Sequence, residues 1–208
     1  MITRTRAVIP PSWAGTAVKE DLSGWPVTIR FEPPERDFPV GLVDLSHRPK
    51  AVIQGPAVRD LGDGVPGRAI WKSGATIGFL KSDEAALFDI TGPMTPAWPD
   101  PCYTDMTEGW ILLGLFGSRA PEVMARLAPL DVERPDIPDP IYLVTEAHGL
   151  VLQILNLRKS QPGFLLACRR SHGQNLYDSC LRAGRSFGLT PVGTEAFTGW
   201  FTSLVSPE

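Results

Sequence analysis

The stretch from Gly163 to Gly193, GFLLACRRSHGQNLYDSCLRAGRSFGLTPVG, constrains the fold more than any other. Residues 164–168 form a short apolar run, the signature of a buried strand. Arg169 and Arg170 end it, Ser171 reads as a helix N-cap, and Gln174 completes a capping box. Leu176, Cys180, Ala183 and Phe187 then recur at helical spacing, so they share one face. Arg182 and Arg185 suit the negative end of the helix dipole. Gly188 is the expected C′ residue, and Pro191 forbids continuation. A strand followed by a tight turn, an amphipathic helix and a stop needs a sheet to pack on.

The rest of the chain repeats short elements between stiff turns. It holds 21 prolines in 208 residues, roughly twice average usage. Residues 1–25 are polar and weakly periodic and read as an N-terminal arm. Strand-like runs follow at 27–31, 40–45, 50–54, 75–80 and 85–90, with a short helical piece at 57–61. Residues 93–102 form the Pro-richest segment and read as a linker between a first half at 26–92 and a second at 103–200. The second half has strand-like runs at 103–107 and 110–116 and a helix at 118–127 with Ser118 as its cap. A hairpin at 141–156 then turns at His148-Gly149. Asp44-Leu45-Ser46-His47 aligns with Asp105-Met106-Thr107-Glu108 at an offset of 61, and Gly55 with Gly117 after a one-residue slip. The expectation is an α+β protein of two pseudo-repeated halves, each an antiparallel sheet with helices on one face.

Several function classes find no support. A net charge of -3 offers no general attraction to nucleic acid or anionic membrane. No apolar run approaches the roughly 18 residues of a membrane span, and the N-terminus lacks a signal-peptide h-region. Cys102, Cys168 and Cys180 are odd in number and lack CxxC spacing, which indicates a reducing, cytoplasmic compartment. His47, His148 and His172 show no metal-ligand spacing, so no metal site is expected. The glycine cluster at 62–67 lacks a phosphate-binding lysine. Asp44, Ser46 and His47 crowd three catalytic residue types into four positions. Triad members come from different elements, so Asp44 and Ser46 are read as binding local backbone. Asp83 and Glu84 sit in a turn, and Asp100 and Asp105 flank the linker. Trp13, Trp25 and Trp98 are either interface anchors or covers for the core. Arg169 and Arg170, with Trp110, are the candidate partner-contact residues, since adjacent arginines at a strand-to-helix turn hold carboxylates well.

Four stretches carry a family resemblance: VGLVDLSHRPKAVIQGPAVRDLG (40–62), IGFLKSDEAALFDI (77–90), DMTEGWILLGLFGSRAPEVMARLAPLDV (105–132) and LLACRRSHGQNLYDSCLRAGRSFGLTPVG (165–193). In order and spacing they resemble the folate-binding fold of the glycine cleavage T protein, an aminomethyltransferase. They are most similar to its short relatives, the gamma subunits of heterotetrameric sarcosine oxidases. The acidic turn at Asp83-Glu84, Leu130-Asp131 after a helix, and Arg170-Ser171 before the last helix match the gamma pattern. The C-terminal barrel of the T protein has no counterpart in the chain. Its catalytic aspartate pair is missing, and Leu165 stands where its folate-contacting acid follows a glycine and an aromatic, here Gly163-Phe164. The resemblance thus implies an accessory, non-catalytic subunit of a flavin-dependent N-methyl amine oxidase that passes a one-carbon unit to tetrahydrofolate. Its partners would be larger flavoprotein subunits, and FAD, FMN, NAD and tetrahydrofolate would belong to them, with no cofactor in this chain. The alternatives are a stand-alone folate-dependent aminomethyltransferase or folate-binding protein, which needs an inward-pointing acid, and a binding module of another assembly.

Overall fold

The structure is a computed structural model that describes residues 8–33, 38–62, 64–72, 74–91, 102–133, 140–157 and 161–203. Of the expected linker, only Cys102 falls among them. The N-terminal segment departs from an irregular arm. After a turn of 3-10 helix at Ser12–Ala14 it forms β1 (Thr16–Leu22), which pairs with β2 (Trp25–Glu32) through a Ser23-Gly24 turn with both φ positive. Such a turn matches the twist of a hairpin. β1 is exposed or half-buried along its length, so it has no alternation to read. Its partner buries Trp25, Val27, Ile29 and Phe31 on one face.

β3 (Val40–Asp44) and β4 (Lys50–Gln54) come next, then a 3-10 turn at Gly55–Val58. β5 (Ala69–Lys72), β6 (Ala75–Lys81) and β7 (Glu84–Asp89) close the first half. The second half runs β8 (Tyr103–Asp105), β9 (Trp110–Phe116), α1 (Ala120–Leu127), β10 (Ile141–Ala147), β11 (Leu150–Asn156) and β12 (Gly163–Arg169). It ends with α2 (Gly173–Gly184), β13 (Leu189–Pro191) and α3 (Thr194–Ser203). One sheet has the order β10-β11-β12-β9-β3-β13, the other β5-β6-β7-β4-β8. Every pairing is antiparallel except β13 with β3. The sheets therefore share one strand plan, in which β10, β11, β12, β9 and β3 answer to β5, β6, β7, β4 and β8. Each half places its first strand in the other's sheet: β3 lies beside β9, and β8 beside β4. This is the α+β repeat that the Asp-x-Ser/Thr alignment pointed to.

The core sits on both faces of β9, which is buried from Ile111 to Phe116. Ile111, Leu113 and Leu115 pack beneath α1 and α2 with Leu176 and Cys180. Leu112 and Phe116 face the other way, onto Phe88 of the five-stranded sheet and Phe197 and Trp200 of α3. Two caps differ from expectation. Arg170–His172 forms a 3-10 turn that leads into α2, so Ser171 lies inside the turn and His172 holds the cap position. The Gln174 amide instead clips the N-terminal segment, accepting from Ile9 N at 2.7 Å and donating to Ile9 O at 3.2 Å. α1 begins only at Ala120, with Arg119 at the cap, and the Ser118 hydroxyl points to Pro39 O. Gly188 does take the left-handed conformation, φ +73°, after one 3-10 turn. β5 and α3 had no clear periodicity. α3 is helical through packing, since Phe197, Trp200 and Phe201 are buried despite the central Gly199.

The sheets pack tightly at Gly78, where an added Cβ would stand 2.2 Å from the Tyr142 ring. Tyr142 is 3% exposed and hydrogen-bonded to Gln153, so it has little room to retreat. Gly78→Val is expected to lower unfolding stability by about 1–3 kcal/mol in urea titration. An unchanged midpoint would show that the sheets are not in contact there.

Candidate functional site

The two Asp-x-Ser/Thr segments build the centre of the molecule. Asp44 Oδ1 accepts the backbone N–H of Ser46 at 2.9 Å, which turns the chain at the end of β3. The Ser46 hydroxyl then accepts from Leu112 N at 3.1 Å, while Leu112 O accepts from Leu45 N at 2.8 Å. The second segment repeats each bond. Asp105 Oδ1 accepts Thr107 N at 2.8 Å, Thr107 Oγ1 accepts Lys50 N at 3.1 Å, and Lys50 O accepts Met106 N at 2.8 Å. Each half thus clasps a strand of the other half, β9 at Leu112 and β4 at Lys50. Ser46 and its neighbours are occupied with backbone, as the sequence suggested, and no hydrolytic triad forms from this run.

Lys50 lies between the clasps and is completely buried. Its Nζ donates to Ser46 O and Arg48 O, both at 2.8 Å. Burial pulls its pKa down to about 7, against the upward pull of the Asp44 and Asp105 carboxylates and with a further lowering by Arg170. A neutral amine has two N–H donors, and two carbonyls meet them. His47 beside it is 6% exposed, and burial, then Arg48 and Lys50, lower its pKa to about 3. The Arg48 guanidinium donates to Ile90 O and sits beside Asp89, which offsets part of its desolvation. Sequence reasoning passed over Lys50 and Arg48. The available signal was a lysine at the head of an apolar strand run, one slip from Leu112 in the repeat.

His47 and Arg48 form one wall of a cleft of about 340 Å³. Ile90 and Thr91 continue that wall, and α3 closes the other side with Thr194, Phe197, Thr198 and Phe201. The volume is that of a small-ligand site. Its lining offers a guanidinium, a neutral imidazole, hydroxyls and phenyl rings. Among the described residues no carboxylate lines it. With a pKa near 3, His47 is too weak a base to relay protons efficiently near neutrality. Leu165 is 1% exposed and packs in the core.

The three residues expected at a partner contact do come together. Arg169 is exposed at the end of β12 and is the register partner of Trp110. Arg170 N donates to Gly109 O at 2.9 Å, and its guanidinium lies 3.9 Å from the Glu108 carboxylate and 5.2 Å from the Trp25 ring centre. Trp110 stacks on Phe88 and borders a small apolar hollow with Leu80, Tyr142, Val144 and Val151. The other candidates stay dispersed. His148 occupies its hairpin turn at φ +52°, His172 heads α2, and Glu84 pairs with Lys81 at 2.8 Å. Trp25 is buried and Trp13 is 63% exposed, while Trp98 and Asp100 lie outside the described residues. Among the described residues no group of three or more metal-ligating side chains gathers, and no helix is long and apolar enough to cross a membrane. No disulfide joins the three cysteines, and Cys168 and Cys180 are buried.

No family model matches the chain, and no curated protein does. Solved structures do. A chain of the heterotetrameric sarcosine oxidase from Corynebacterium sp. U-96, in complex with pyrrole 2-carboxylate, superposes with a TM-score of 0.58 at 16% identity. The match covers 72% of this chain and 85% of that one. The glycine cleavage system aminomethyltransferase T from Bartonella henselae superposes with a TM-score of 0.62 at 19% identity, over 88% of this chain and 57% of that one. The chain has the aminomethyltransferase T-like fold. The two neighbours are the two proteins that the sequence resembles, and the chain spans little more than half the length of the aminomethyltransferase.

Lys50 makes stability depend on pH. Its folded pKa lies below its unfolded value of 10.5, so between about 7 and 10.5 the unfolded chain binds the extra proton. Stability is then greatest above that window, falls as pH falls through it, and levels off below about 7. Urea unfolding free energy is expected to rise by up to about 1.4 kcal/mol per pH unit from pH 8 to 10, and Lys50→Met is expected to flatten the slope. Equal slopes in the two proteins would place the titration elsewhere.

Proposed function

We propose that the chain is an accessory, non-catalytic gamma-like subunit of a flavin-dependent sarcosine oxidase or related N-methyl amine oxidase. That complex passes a one-carbon unit to tetrahydrofolate, and this chain supplies shape and stability to it in the cytoplasm. The observation that carries the reading is the central cleft. It has the size of a ligand site, but among the described residues no carboxylate lines it. One-carbon transfer to folate needs such a group near the reacting amine. Coverage supports the same choice, since the chain matches 85% of the sarcosine oxidase chain but 57% of the aminomethyltransferase. In this reading 26–92 and 103–200 are the two halves, joined by a linker at 93–102. FAD, FMN, NAD and tetrahydrofolate sit on larger flavoprotein subunits. Arg169, Arg170 and Trp110 form one contact patch toward them.

The cleft also favours a second reading, a folate-binding protein that acts without partners, because Arg48 offers a cation beside phenyl rings. Native mass and absorbance of the chain purified from its source cell separate the two. The subunit reading predicts a complex several-fold heavier than 22.7 kDa with flavin absorbance, which Arg169→Ala with Arg170→Ala destabilises. A lone 22.7 kDa species without flavin that quenches its tryptophan fluorescence on addition of tetrahydrofolate would replace it with the second.

A further inference from the structure

A second surface, away from the cleft, lies where the N-terminal segment crosses α2. Val8 plugs into the core beneath α1 and α2, and the Gln174 amide grips both backbone groups of Ile9. This anchoring carries Trp13 to the C-terminal half of α2, yet leaves it 63% exposed. There Trp13, Leu181, Leu189, Arg182 and Arg185 line an open groove of about 600 Å³. Arg182 donates only to Ser179 Oγ at 2.9 Å among its described contacts, and Arg185 is exposed. Around the corner Arg126 spans from α1 to Ser186 Oγ at 2.7 Å and lies 4.2 Å from the centre of the Phe187 ring. Among the described residues none of these three arginines is ion-paired to a carboxylate, whereas nearby Arg119 is paired with Glu122.

A helix end favours one or two basic residues for its dipole. That accounts for Arg182 and Arg185 singly. It does not account for an exposed tryptophan brought beside them by a segment that an amide clip anchors at Ile9, in a chain whose net charge is negative. Exposed tryptophan and arginine around an apolar floor are the composition of an interface hot spot. Unpaired guanidinium groups select carboxylates with defined geometry.

We propose that the groove between Trp13 and the C-terminal half of α2 docks an acidic segment of a partner protein. The segment's apolar side chain packs between Trp13, Leu181 and Leu189, and its carboxylates meet Arg182 and Arg185. The proposal deepens the subunit reading above by giving a second contact face, distinct from Arg169 and Arg170, and it rests on that reading for the identity of the partner.

The test uses the full chain in its source cell, with a photoreactive p-benzoylphenylalanine in place of Trp13 in one variant and Arg182→Glu with Arg185→Glu in another. The expected result is that the charge-reversed chain leaves the assembly, with at least a tenfold rise in the dissociation constant, while its thermal melting stays that of the unaltered chain. Irradiation should join position 13 to a partner segment rich in Asp and Glu. An assembly indifferent to charge reversal, or a cross-link to a neutral or basic segment or to nucleic acid, would overturn the proposal and leave the subunit reading standing. An acidic segment captured from a protein without flavin would uphold the groove and overturn the subunit reading. An unaltered chain found alone, with no cross-link, would overturn both.

Discussion

The structure depends on two hydroxyls. Ser46 and Thr107 each receive a backbone N–H from a strand that belongs to the other half, that of Leu112 and of Lys50 respectively. A buried N–H left without a partner costs about 1–3 kcal/mol. The clasps therefore tie β9 and β4 to the segments that follow β3 and β8, and hold β3 and β8 across in sheets that are not their own. The exchange makes the halves inseparable. Neither sheet has its full set of strands without the other half of the chain, and the apolar side chains of β9 find cover on both faces only in the joined molecule.

A buried lysine at this junction is costly alone, and its surroundings explain how it is tolerated. Two carbonyls satisfy a neutral amine, and two aspartates that already hold the clasp turns moderate the loss of charge. The same burial keeps His47 neutral. The centre is thus built for rigidity, with its polar groups committed to backbone, and among the described residues the cleft beside it is lined by no carboxylate. The fold is shared with an aminomethyltransferase T.

Much of this was legible in the sequence because it rested on local patterns. The apolar runs of β4, β9 and β12, the His148-Gly149 turn and the Gly188 stop each have a signal within a few residues. The Asp-x-Ser/Thr repeat was visible as spacing, and the structure shows what it does. Less was legible where tertiary contacts decide. β1 is an edge strand with no buried face, and α3 is a poor helix former held by aromatic packing. The caps of α1 and α2 shifted because 3-10 turns and long-range partners took the expected side chains. The cleft was not legible because it joins the turn after β3, the end of β7 and α3, which no short window contains.

Native-state hydrogen exchange of the Leu112 and Lys50 amides tests the reciprocal clasp most directly. Each amide ends on a hydroxyl from the opposite half. If the clasps lock two strand-exchanged halves into one cooperative unit, both amides exchange only through global unfolding, with equal protection free energies that fall together in denaturant. If one amide exchanges through a separate, lower-energy opening while the other stays protected, the halves open independently and the central claim fails.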